Sequence, residues 1–74
     1  MPFTRERMSE YLAALTRLRE ETTKRVGMFT TGACHVHRNG QEVTAELVAA
    51  MRGEVAQLDW LIEQISRELD AEAL

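Results

Sequence analysis

Residues 44–69 read TAELVAAMRGEVAQLDWLIEQISREL, and the spacing of their apolar side chains decides the fold. Val48, Met51, Val55, Leu58, Ile62, Ile65 and Leu69 alternate steps of three and four without a miss. That is the a/d series of a helix packing lengthwise against other helices. Thr44 precedes the run as a candidate N-cap, and Val43 is spaced to staple onto Val48. Glu46 lies in the first turn, where the helix dipole favours an anion. The expected helix covers about 45–71.

Working outward, the N-terminal third repeats this grammar. Thr4 is a candidate N-cap, with Phe3 placed to staple onto Met8. Met8, Tyr11, Leu15, Leu18 and Thr22 alternate in the same way, and Leu12 and Val26 widen the stripe. Glu20–Lys24 and Glu21–Arg25 stand four residues apart and mark a solvated face. Gly27 is placed to end this helix as its C′ residue, which sets it at about 5–26.

The connection, MFTTGACHVHRNGQE over residues 28–42, has no helical period. Asn39-Gly40 is its turn signal, because both residues tolerate the positive φ of a type I′ turn. Val36 and Val43 fall opposite one another around that turn. A short β-hairpin and an irregular loop both fit. Either way the connection exceeds the roughly 2–8 residues usual between packed helices, and long connections tend to be functional or disordered.

Composition agrees with a single helical-hairpin domain over residues 1–74. Hydrophobic residues make up 45% of the chain, but aromatics only 5%, and Pro occurs once, which favours helix over sheet. The formal charge of -3, with no basic excess, argues against a nucleic-acid surface, where phosphate neutralisation supplies most of the affinity. The single Cys excludes an intramolecular disulfide. MPFTRERM lacks the apolar core of a secretory signal, and no stretch reaches the roughly 18 apolar residues of a membrane span. A cytoplasmic protein without membrane or nucleic-acid partners is the expectation.

Two helices cover each other along one stripe only, and a chain of this size rarely gains more than about 3–5 kcal/mol from its core unaided. Both stripes are wider than such a contact needs, with Leu47 and Leu61 extending that of the second helix. Pairing of hairpins into a homo-oligomeric four-helix bundle, a dimer or higher, would bury them together. The a/d stripes hold no buried Asn to choose a pairing direction.

On the far side of the second helix, Ala49, Gly53 and Ala56 lead up to Trp60 at steps of four, three and four. Gly inside a helix costs roughly 1 kcal/mol against Ala, so a smooth strip beside a Trp suits the close approach of a protein partner. The plainer reading is a strip of small helix formers with Trp60 packed on its own helix or under the connection.

The connection carries the remaining candidates. Cys34, His35 and His37 are three potential metal ligands, with Glu42 across the turn as a possible fourth. One cluster without a second ligand pair is a weak zinc signal, and a loop with two partly exposed histidines and a small buried Cys is the better account of it. Thr30, Thr31, His35, His37 and Arg38 offer donors for a small anion near the N-terminus of the second helix, yet no phosphate-binding motif is present. Cys34 with a neighbouring His lacks the context of a catalytic nucleophile, so neither an enzyme nor a cofactor is expected. These residues point to a small non-enzymatic interaction module: a regulator, adaptor or inhibitor of the kind found among phage and mobile-element products. The alternative is an oligomeric binder of a small anion or metal through residues 28–43.

Overall fold

The computed structural model describes residues 4–73. The chain forms α1 (Arg5–Thr30), β1 (His37–Arg38), β2 (Gln41–Glu42) and α2 (Thr44–Ala73). The helices run antiparallel as a helical hairpin, and the two short strands make a β-hairpin within the connection.

The start of α1 is the one its sequence announces. Thr4 is extended, its hydroxyl accepts the Arg7 N–H at 3.2 Å, and its carbonyl accepts that of Met8 at 3.0 Å. The Phe3 staple lies outside the described residues. The end of α1 differs from expectation. Gly27 does not stop the helix, which continues a further turn to Thr30. A mid-helix glycine costs only about 1 kcal/mol, and the extra turn carries the half-buried Phe29 onto the packed side. Termination falls instead at Gly32, whose φ of 82° is the left-handed geometry that glycine adopts without strain. The Gly32 N–H closes on the Phe29 carbonyl and the Cys34 N–H on that of Met28, which satisfies carbonyls the helix leaves open.

Of the two forms open to the connection, the hairpin is realised. His37 pairs with Glu42 and Arg38 with Gln41, while Asn39 and Gly40 take φ of 53° and 80°. The Val43 N–H donates to the Val36 carbonyl at 2.8 Å, so these valines do stand opposite. Thr44 is shifted from its expected role. The Val43 carbonyl accepts the first helical bond, from Leu47, and the Thr44 hydroxyl reaches back to accept the Val36 N–H at 2.9 Å. The threonine thereby fastens the β-hairpin to α2.

Two contacts fix how the helices lie against each other. The Arg5 guanidinium donates to the Leu69 carbonyl, and Arg19 pairs with Asp59. On α2 the expected stripe is the packed one: Val48, Met51, Leu58 and Leu69 are buried, and Val55, Ile62 and Ile65 half-buried. On α1 the packed stripe is rotated from the expected one. It runs Met8, Leu12, Leu15, Arg19, Thr22, Val26 and Phe29, all buried or half-buried. Tyr11 and Leu18 remain 47% and 43% exposed. Both stripes share Met8, Leu15 and Thr22, so periodicity alone does not separate them. Rotation moves Leu12 and Val26 from the expected flank to the middle, brings Phe29 inward, and lays the stem of Arg19 along the seam with its head on Asp59.

The result is one layer of helices. Its extents are 54 × 24 × 15 Å and its radius of gyration 16.4 Å, against about 11 Å for a compact chain of this length. The five best-covered apolar side chains, Leu15, Val48, Met51, Leu58 and Leu69, each keep 8% of their surface exposed. Among the described residues the deepest side chain is Thr22, at 2%, its hydroxyl donating to the Leu18 carbonyl. Stable domains close a core between two layers. This hairpin supplies one.

Candidate interaction surface

Three surfaces hold the residues singled out above. The first is the open side of the hairpin. Tyr11 lines a shallow groove with Met8, Gln64, Ile65 and Glu68, which places it across from the C-terminal half of α2. Leu18 is two turns along from Tyr11 on the same face of α1, and Leu61 one turn from Ile65 on α2. Leu47 and Leu61 are half-buried, as befits the flank of the stripe. The three-four spacing of α1 places Tyr11 and Leu18 in the seam, and the structure places them beside it. Apolar spacing does not distinguish which of the two overlapping stripes faces the partner helix.

The second surface is the back of α2. Ala49, Gly53 and Ala56 are exposed, and Trp60 is 61% exposed, beside Gln57 and Leu61. A methyl group placed on Gly53 would meet no atom within 4 Å. Among the described residues nothing packs against Gly53, and Trp60 is not tucked under the connection. An exposed indole on a strip of small side chains has the form of an interface anchor.

The third surface is the cleft where the β-hairpin meets both helices. Phe29, Thr30, His35, Glu42, Thr44, Ala45, Val48, Ala49 and Arg52 line it. At its mouth Nδ1 of His35 lies 2.5 Å from Oε1 of Glu42, and the Thr44 hydroxyl donates to the same oxygen at 3.4 Å. The His35 hydrogen bond, then the charge of that ring, holds the Glu42 carboxyl below the usual carboxylate range, against a smaller opposing effect of desolvation. Glu42, at the edge of the sequence reading, is thus the centre of the cluster.

The candidate ligand-binding residues are only partly brought together. Thr30 and His35 share the cleft, whereas Thr31, His37 and Arg38 do not line it. The Thr30 and Thr31 hydroxyls donate to the Gly27 and Met28 carbonyls at the end of α1. Cys34 is half-buried. Among the described residues, no group of three or more His, Cys, Asp or Glu side chains gathers to hold a metal ion, so Cys34, His35 and His37 do not form a ligand set. Among the same residues, no helix is long and apolar enough to cross a membrane.

No protein-family model matches the chain, and comparisons with curated proteins and with solved structures find no match. Its functional reading rests on its own surfaces.

Proposed function

We infer that the protein is a small non-enzymatic interaction module that works as a homo-oligomer and presents the back of α2 to a protein partner. The observation that carries this is the unfinished core. The chain exposes 5863 Å², where a compact monomer of its mass exposes about 4,600 Å². Tyr11 and Leu18 add large apolar side chains to that surface. Covering the open side with another hairpin would complete a four-helix bundle and leave Ala49, Gly53, Ala56 and Trp60 outward. One helix would then serve two interfaces, assembly on one side and recognition on the other.

Native mass spectrometry of the purified chain tests the assembly. A defined dimer or tetramer is expected, and a monomer at micromolar concentration overturns this half of the reading. Trp60 is the only tryptophan, so its fluorescence isolates the recognition surface. Iodide should quench it freely in the oligomer and poorly once a partner is bound. Protection in the oligomer alone would place Trp60 in the assembly contact instead.

A further inference from the structure

We propose that the open side binds a second copy of this chain about a two-fold axis parallel to the helices, so that α1 of each copy lies over α2 of the other. This rests on the oligomeric reading above and adds to it the face, the axis and the register.

The two edges of the open side carry opposite charge at matching levels. On α1, Arg7, Ala14 and Arg25 flank Tyr11 and Leu18. On α2, Leu47, Glu54, Leu61 and Glu68 follow one another at intervals of seven. The Arg5–Leu69 and Arg19–Asp59 contacts set these levels. Arg7 stands level with Glu68, Ala14 with Leu61 and Arg25 with Glu54, each to within about one helical turn. All four charged residues are exposed. The α1 edge is basic near both ends, and the α2 edge is acidic at the same two heights.

An axis parallel to the helices allows no sliding, because every level of one copy must meet the same level of the other. Arg7 then meets Glu68 of the second copy, Arg25 meets its Glu54, and the small Ala14 leaves room for its Leu61, each contact occurring twice. The alternative face-to-face axis runs across the helices and lays α1 on α1 and α2 on α2. At full overlap it brings Arg7 toward Arg25 and Glu54 toward Glu68, like charge on like. Glu21 also lies on this side of α1, about 40° further round than Arg25 and so toward the rim. The chain as a whole has surface to spare for such a pair. The surface in excess of a compact monomer is about 1,200 Å², and a stable interface takes about 800 Å² from each partner.

The test uses the full chain with Cys34→Ser, carrying either Ala14→Cys or Leu61→Cys. The two variants are mixed in equal amounts, re-equilibrated and treated with a short bismaleimide, and the products are weighed. The mixed Ala14→Cys/Leu61→Cys product should predominate. Dominance of the two self-linked products, or a dimer that links in neither way, overturns the proposed axis while leaving the oligomeric reading standing. A monomer before treatment overturns both. As a second arm, Arg25→Glu and Glu54→Arg should each weaken self-association about tenfold, and mixing them should restore it. Failure of the mixture to recover, with both variants folded by circular dichroism, also overturns the axis.

Discussion

Glu42 shows at the scale of a residue how local chemistry shapes the cleft. Its carboxyl is held below the usual range by His35. A carboxyl depressed in the folded state contributes stability above its ordinary pKa, and that contribution is lost as pH falls through the depressed value. Both side chains are more than half exposed, so solvent screens the pair. The carbon-13 titration of the Glu42 carboxyl should have a midpoint below that of an unperturbed glutamate and return toward it in His35→Ala. Identical titrations in the two proteins would show that the contact is not populated in solution. Thr22 makes a different case. Its hydroxyl is buried and donates to a backbone carbonyl inside the same helix. Thr22→Val keeps the branched shape, strands no donor and buries more apolar surface, so urea unfolding should show a gain of about 0.5–1 kcal/mol. A loss would mean that the hydroxyl matters to the seam beyond that bond.

The glycines sort themselves at the scale of the element. Gly32 and Gly40 hold positive φ, one ending α1 and one completing the β-hairpin turn. Gly32→Ala should destabilise by about 1 kcal/mol, read from the urea midpoint. Gly27 and Gly53 lie inside helices with open space where a methyl would sit. Alanine at either should stabilise by about 0.5–1 kcal/mol. Gly53 is the informative one, because its strip is also the inferred recognition surface. Gly53→Ala is expected to raise the melting temperature and weaken partner binding together. A stabilised variant that still binds normally would remove the close approach from the account. These distinctions were half legible in the sequence. Asn39-Gly40 announced its turn, but Gly27 and Gly32 look alike on paper. The choice between them depends on whether Phe29 has something to pack against.

At the scale of the whole molecule, the missing second layer governs what to expect. If the hairpin completes its core with another copy, folding and assembly are linked, and melting temperature should rise with protein concentration. Leu18→Glu, at an exposed position on the open side, should leave the helices in place while lowering that temperature and removing its concentration dependence. A Leu18→Glu protein with unchanged mass in native spectrometry would show that the open side is not the assembly face. Trp60→Ala, on the back of α2, should change neither property. Concentration-dependent melting in the parent chain, lost in one variant and kept in the other, would assign the two faces separately.

The sequence by itself determined the two helices, the start of α1, the seam of α2 and the turn at Asn39-Gly40, and left open whether the connection forms strands. Each follows from forces acting within a few residues along the chain: capping bonds, positive-φ tolerance and a stripe that meets no competitor. Tertiary structure decided the rest. Only packing between the helices chose Arg19 over Leu18 for the seam, because the two stripes of α1 are equally periodic and differ in what lies opposite. The same packing holds Phe29 inward past Gly27, while folding of the β-hairpin sets the Thr44 hydroxyl against Val36 and His35 beside Glu42. Burial and pairing across the hairpin join residues distant in sequence, and their balance exists only once both helices are in place.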